Sequence, residues 1–185
     1  GSENLRQYFR KKIEAVHAQR LILKNRISSG KIVSDKTRLQ YYSAWHFAAI
    51  RLLITIPGCQ TKEALVDRLK LPPMIVLDSL DFLVSNGLVV QKGNRYEVGE
   101  MHLHLANADS PLVRKNHMNW RVQALRAIDL EREHEAHFSM GMTISKEDMV
   151  RLRGMIVDFV ESVQKVVRPS EPETLCGLCL DFFEI

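Results

Sequence analysis

The sequence predicts an α+β protein, and three observations support this prediction. Apolar residues recur at helical spacing along most of the 185-residue chain. Two short β-prone runs flank Gly93-Asn94, a pattern typical of a hairpin. A third run, 138–144, alternates apolar and polar residues as a half-buried strand does. Helices and strands are therefore both expected, in separate stretches of the chain.

The order of these patterns divides the chain into three parts. A basic helix and a linker occupy 1–40. A group of helices with a hairpin occupies 41–100. A helical connector and a C-terminal α/β domain, regulatory or dimerising in character, occupy 101–185.

The composition is that of a globular chain. Hydrophobic residues make up 45% and charged residues 26%, with 9 Gly and 6 Pro, which excludes a disordered, collagen-like or disulfide-scaffold protein. No apolar run approaches the length of a membrane helix, and we expect neither a leader segment nor a membrane partner. Three cysteines without a regular spacing favour free thiols in the reducing cytoplasm.

Positive charge is concentrated at the N-terminal end. Residues 1–40 hold ten basic and three acidic side chains, whereas the rest of the chain has a net charge of −3. The interval 3–28 has helical apolar spacing without Gly or Pro, so we expect one long helix. For its individual cations, the favoured interpretation is the solvated face of an amphipathic helix. The net charge still favours this end as the side that faces DNA, with Lys11 and Lys12 as candidate phosphate contacts.

The middle of the chain predicts three helices followed by the hairpin. An aromatic-rich helix occupies 41–55, a second begins after the capping residue Thr61, and a third spans about 72–86. The hairpin at Gly93-Asn94 comes next. This order is that of a winged helix-turn-helix, in which the third helix reads DNA when the fold binds it.

The third predicted helix has few groups that can read base edges. It contains no Arg or Lys and carries Asp78 and Asp81, whereas major-groove recognition relies on Arg, Lys, Asn or Gln. Lys92 and Arg95 at the hairpin turn could contact a DNA backbone, and the alternative for them is an ordinary solvated turn. A structural or dimerising winged helix is therefore favoured over one that reads DNA.

The C-terminal part predicts a helix and then a strand–helix–strand domain. Ser110-Pro111 begins a helix that runs to about residue 135. The alternating segment 138–144 is the first strand, and Ser145 caps a helix whose apolar residues recur at i, i+3, i+4 and i+7. A last strand is expected at about 174–184.

Aromatic and histidine side chains indicate a candidate ligand pocket. Trp45 and His46 lie on one predicted helix, and His117 and Trp120 lie on another. They could line a cavity between the middle and C-terminal parts, since sensor pockets commonly form at such seams. The alternative is core packing, which is the more usual role of aromatic residues at helical spacing.

The sequence offers no basis for an enzyme, a metal or a cofactor. It lacks the phosphate-loop, nucleophile-elbow, dinucleotide-binding and zinc-protease motifs. Cys176 and Cys179 have metal-ligand spacing, but a zinc site needs about four ligands and only Cys59 remains, so we expect buried apolar thiols. Two histidine pairs could hold a transition metal, His102 with His104 and His134 with His137, but surface or hydrogen-bonded histidines are the favoured interpretation.

Several segments together carry a family resemblance. They are the run from Tyr41 to Arg51, Ile56-Pro57-Gly58, the stretch from Leu80 to Val89, and Phe138 to Ser145 with the helix and strand that follow. These resemble a poorly characterised family of bacterial transcriptional regulators, known mainly from predatory and fibre-degrading bacteria. The resemblance implies the C-terminal portion of such a regulator, without the family's N-terminal helix-turn-helix. It implies a fold and a role class, but no ligand and no chemistry.

We therefore expect the regulatory and oligomerisation portion of a bacterial transcriptional regulator that acts as a homodimer. DNA contact would come mostly from the missing N-terminal domain or from the basic N-terminal end. The alternative is a protein-interaction or small-molecule sensor module, built on a degenerate winged helix that does not touch DNA.

Overall fold

The chain combines helices with one small antiparallel sheet. The computed structural model describes residues 33–101, 103, 111–130 and 132–185. Within these residues it contains six helices and a two-stranded sheet, so the chain is mixed α and β, in agreement with the predicted class. In chain order the elements are α1 Asp35–Tyr41, α2 Trp45–Leu53, α3 Lys62–Leu69, α4 Pro73–Ser85, β1 Val89–Lys92, β2 Arg95–Val98, α5 Pro111–Ile128 and α6 Lys146–Val167.

The described residues fall into two compact units. The helix–hairpin unit comprises the described residues up to 136 together with 172–180, and it contains α1 to α5 and both strands. The C-terminal unit comprises 137–171 and 181–185 and contains α6. No described helix is both long and apolar enough to cross a membrane. The helix expected at 3–28, with Lys11 and Lys12, lies outside the described residues.

The helix expected at 41–55 is present but shorter, as α2 Trp45–Leu53, and a separate helix, α1, precedes it. α1 begins inside the predicted linker, where the Ser34 hydroxyl accepts a hydrogen bond of 3.1 Å from the Thr37 amide. Ala44 adopts an extended conformation, with φ −145° and ψ 151°. The chain therefore leaves the helical path after α1 and begins a separate helix, α2.

The two helices predicted next are confirmed. The Thr61 hydroxyl accepts a hydrogen bond of 3.3 Å from the Ala64 amide and caps α3. α3 ends at Lys70, whose φ of 52° is left-handed. α4 begins with Pro73, whose missing N–H would have had no helical partner there. The turn after α4 contains Gly87 at φ 68°, a conformation that glycine adopts without steric strain.

The predicted hairpin is also confirmed. β1 and β2 pair antiparallel, with Val89 opposite Val98, and Gly93 in the turn has φ 62°. The Tyr96 amide donates a hydrogen bond of 2.7 Å to the Gln60 carbonyl. β2 therefore bonds to β1 and also to the segment between α2 and α3.

One apolar core fills the helix–hairpin unit. Ile50 of α2, Leu80 and Leu83 of α4, and Leu88 before β1 are each at most 1% exposed. Burying one such side chain contributes about 1.5–3 kcal/mol. The contacts of α4 with α2, α3 and β1 place α4 at the centre of this core.

Arg51 of α2 forms hydrogen bonds at both ends of the hairpin region. Its guanidinium donates to the Leu88 carbonyl at 3.4 Å and to the Met101 carbonyl at 3.3 Å. These two carbonyls come before and after the β1–β2 hairpin in the chain. The hairpin is consequently held to the helices by polar bonds as well as by the core.

α5 begins at the predicted Pro111 but ends at Ile128, earlier than expected. The Leu130 amide bonds to the Ala127 carbonyl at 3.0 Å, an i to i−3 bond of the kind that closes a helix. The Asn119 amide group donates a hydrogen bond of 2.9 Å to the Tyr42 carbonyl. This bond joins α5 to the segment between α1 and α2.

The predicted helix α6 is present in the C-terminal unit, but the strands expected before and after it are not. The Ser145 hydroxyl accepts a hydrogen bond of 3.1 Å from the Asp148 amide and caps α6 as predicted. Residues 138–144 and 174–184 have no regular secondary structure. No backbone–backbone hydrogen bond among the described residues joins either segment to another. A strand needs such a partner, so the described residues form none there.

Replacing Leu80 by Ala should lower the free energy of unfolding by about 2–5 kcal/mol, because the lost side chain leaves a cavity in the core. Urea denaturation followed by circular dichroism measures this difference. The matched control on the same helix is Met74→Ala, since Met74 is 65% exposed and its loss should change stability by about 0.5 kcal/mol or less. Equal losses in the two variants would contradict the placement of α4 in the core.

Candidate functional site

The solvent-facing side of α4 is acidic and apolar. Met74, Asp78, Asp81 and Ser85 recur at helical spacing, and all four are exposed. Among them only the Ser85 hydroxyl can donate a hydrogen bond, and α4 contains no Arg or Lys. This surface, which we call the α4 outer face, cannot make the charged or bidentate donor contacts that reading guanine requires, and its carboxylates repel phosphates.

The negative charge extends from α4 toward α3 and the hairpin. Tyr96 of β2 is buried, and burial is the main cause that raises the pKa of its phenol. The carboxylates of Asp81 and Glu63 raise the pKa of Tyr96 further, because their negative charges repel the phenolate form. Carboxylates of α3 and α4 thus act together at this part of the surface.

The two predicted DNA-contacting cations of the hairpin, Lys92 and Arg95, both have protein partners. The Lys92 ammonium lies 2.7 Å from a Glu97 carboxylate oxygen. The Arg95 guanidinium donates to the Gln60 side-chain oxygen at 3.0 Å, which also accepts the Gly58 amide at 2.9 Å. Exposed ion pairs of this kind contribute about 0–1 kcal/mol, so the pairing reduces the positive field of the turn without locking Lys92 in place.

A cavity of about 370 Å³ lies between α3 and α4. Three apolar and three charged side chains line it: Val66, Pro73 and Leu77, with Lys62, Glu63 and Asp67. A hydrogen bond from Lys70 and its positive charge lower the pKa of the Asp67 carboxyl. The cavity therefore combines an apolar wall with charged groups of both signs, an arrangement that can hold an apolar side chain beside a cation.

His46 and Ser79 form a partly buried hydrogen bond that sequence reasoning missed. The His46 Nδ1 atom lies 2.9 Å from the Ser79 hydroxyl, which also donates to the Ile75 carbonyl at 2.6 Å. Because the hydroxyl has a single proton, His46 Nδ1 carries the hydrogen and Ser79 accepts it. Burial lowers the pKa of His46 and favours its neutral form. Ser79 is 1% exposed, and its bond to His46 joins α4 to α2.

The other three residues of the predicted ligand pocket differ in their contacts and in their exposure. The Trp45 ring contacts His46 edge-on at 6.3 Å between centroids. His117 is exposed, and Trp120 is half-buried beside Gly177. None of the four predicted residues lines the cavity between α3 and α4. α2, which carries Trp45 and His46, is in contact with α5, which carries His117 and Trp120. A pocket formed by these four residues stays a prediction.

The remaining aromatic residues of this region pack in the core. Tyr41, Tyr42 and Phe47 are buried, and Phe47 contacts Phe82 at 4.9 Å between ring centroids. Burial raises the pKa of Tyr42 to about 12 and also raises the pKa of Tyr41, against the charge of Arg51. Both phenols are therefore protonated at neutral pH.

Metal ligands are not grouped in the part of the chain that the structure describes. It contains no group of three or more His, Cys, Asp or Glu residues that could hold a metal ion. Cys59 is buried and Cys179 is half-buried, but Cys176 is exposed. The expectation of a buried Cys176 is wrong, because the segment that carries it is not a strand packed in a sheet. His102 and His104 lie outside the described residues.

Residues 24–185 match the family described as Domain of unknown function (DUF4423). The chain belongs to this family. The DUF4423 match includes α4, the hairpin and the segment 138–144. Neither the comparison with curated proteins nor the comparison with solved structures found a match.

Acidification should destabilise the helix–hairpin unit through His46. The pKa of His46 is lowered in the folded state, so the unfolded chain takes up more protons below its ordinary value of about 6.5. The stabilisation is complete above that pH and is lost as the pH falls toward the lowered pKa. Urea denaturation at a series of pH values from neutral to mildly acidic measures this loss. The loss should be smaller in His46→Asn, and an unchanged pH profile in that variant would contradict the assignment.

Proposed function

We propose that this DUF4423 chain is the regulatory and oligomerisation portion of a bacterial transcriptional regulator. In this proposal the helix–hairpin unit is a winged helix with a structural role. The order of α2, α3, α4 and the hairpin supports it, as does the bond from Tyr96 of β2 to Gln60 before α3. The resemblance of the sequence to bacterial regulators supports the same role class.

The observation that carries this proposal is the α4 outer face. A winged helix that reads DNA places this helix in the major groove, where Arg and Lys supply base contacts and phosphate contacts. α4 would instead bring Asp78 and Asp81 toward the phosphates. Each cation–phosphate contact makes the slope of log K against log salt concentration steeper by about 0.9. α4 contributes no such contact. DNA contact is therefore assigned to the basic end with Lys11 and Lys12, or to a domain outside this chain.

A homodimer is the expected state, because a two-fold protein matches a palindromic DNA site. Exposed apolar side chains of the C-terminal unit support this expectation. Among its described residues only Gly154 is buried, whereas Met155 and Phe159 of α6 are about half exposed or more. Exposed large apolar side chains in one unit are typical of a protein-binding surface.

A second candidate function is a protein-interaction module that has no role with DNA. The cavity between α3 and α4 favours it, because apolar Val66 and Leu77 lie beside carboxylates such as Asp67. A basic amphipathic segment of another protein would fit this combination. The first function requires that the full-length protein binds duplex DNA, whereas the second function involves no DNA binding.

Binding of a labelled DNA duplex at low and at physiological salt tests the assignment of DNA contact. Lys92→Glu/Arg95→Glu should change the duplex affinity by about twofold or less, whereas Lys11→Glu/Lys12→Glu should reduce it about tenfold through lost phosphate contacts. Arg151→Glu/Arg153→Glu on α6 is the matched control, since both residues are exposed and the charge change is the same.

A tenfold loss in the hairpin variant, absent from the α6 control, would show that the hairpin contacts DNA and would contradict a structural winged helix. The mass of the chain by light scattering tests the oligomerisation role separately. A dimer is expected, and a monomer at every concentration would contradict that role.

A further inference from the structure

Residues 138–144 expose an apolar surface that nothing in the described structure covers. All seven residues are exposed, with Phe138 at 86% and Met140 at 59%. None of them makes a hydrogen bond within the described part of the chain. The segment contains no charged residue. Such a stretch has the properties of an unpaired strand edge, which associates readily with another chain.

The segment has nearly the same polarity pattern in both directions about Gly141. In an antiparallel pairing of two copies centred on this residue, the opposed residues share their polarity: Phe138 with Ile144, Ser139 with Thr143, and Met140 with Met142. Directly opposed residues lie on the same face of a β-ribbon. One face of the ribbon would therefore carry only Ser, Thr and Gly, and the other only apolar residues.

Among antiparallel registers of two copies, no other uses the whole segment in this way. A shift of one residue would place Phe138 opposite Thr143 and Met142 opposite Ser139, which moves apolar side chains to the polar face. A shift of two residues would leave one end of the segment unpaired. The segment is therefore able to pair with a second copy of itself over its whole length, as the proposed homodimer requires.

We propose that a second copy of this chain covers residues 138–144, and that the two copies form an antiparallel ribbon with Gly141 on the two-fold axis. The inference rests on the proposed homodimer and specifies its surface. The contact is isologous, since the same residues come from both chains. An isolated two-stranded ribbon is only marginally stable. α6 of the same unit supplies further exposed apolar side chains, Met155 and Phe159 among them.

Gly141 offers a direct test, because a β-carbon added there meets no atom within 4 Å in the single chain. Under mild oxidation, Gly141→Cys should cross-link two copies, since residues paired on the axis have Cα atoms about 4.5–5.5 Å apart, within disulfide range. Ser139→Cys is the matched control. Its two copies would lie about 13 Å apart along the ribbon, too far for a disulfide.

Non-reducing electrophoresis of the full chain gives the readout, and the parent chain controls for Cys59, Cys176 and Cys179. We expect disulfide-linked dimer to be the main species for Gly141→Cys, and no more dimer for Ser139→Cys than for the parent. Cross-linking of Gly141→Cys no better than of Ser139→Cys, in a chain that is dimeric by mass, would overturn the inference and leave the oligomerisation role intact. A chain that is monomeric by mass would overturn both.

A charge-pairing experiment tests the register without cysteine. Met140 opposes Met142 of the other copy, so Met140→Lys/Met142→Lys puts like charges opposite each other and should weaken the dimer at least about tenfold. Met140→Lys/Met142→Glu puts opposite charges together and should keep the dimer within about threefold of the parent. Sedimentation equilibrium measures both constants. Equal weakening by the two variants would contradict the register.

Discussion

The packing of α2 against α4 is the constraint on which the helix–hairpin unit depends. Ile50 of α2 and Leu80 of α4 are both buried in the same core, and the hydrogen bond between His46 and Ser79 joins the same pair of helices. Arg51, on the same helix as His46, extends the constraint to the hairpin through backbone carbonyls. Because one face of α4 is fixed in this core, its outer face is left to meet other molecules. The chemistry of that face therefore decides whether α4 can read DNA.

Local signals in the sequence were sufficient for the elements that depend only on local structure. The cap at Thr61, the turn at Gly93 and the cap at Ser145 predicted where α3, the hairpin and α6 begin or turn. The prediction failed where a distant group decides the structure. The segments 138–144 and 174–184 have the pattern of strands, but a strand also requires a hydrogen-bonding neighbour, and the alternation of residues does not contain that information. Ser34, which caps α1 inside the predicted linker, is a local signal of the same kind.

The candidate site was partly predictable for the same reason. The acidic outer face of α4 follows from helical spacing alone, so Asp78 and Asp81 could be placed on it without a structure. The hydrogen bond between His46 and Ser79 joins residues 33 positions apart, so no local sequence pattern predicts it. A serine within the buried stripe of α4 was the available signal, because a polar residue in such a stripe requires a partner. The pairing of Lys92 with Glu97 depends in turn on the hairpin register.

The central claim is that this DUF4423 chain supports a regulator mechanically, with α4 and the hairpin turned away from nucleic acid. Hydrogen–deuterium exchange of the full chain, with and without duplex DNA at low salt, tests this claim most directly, because it reports contact element by element. Exchange in α4, β1 and β2 should be the same in both conditions, and any protection should lie in the basic N-terminal residues. Slowed exchange in α4 or in the hairpin on addition of DNA would contradict the account.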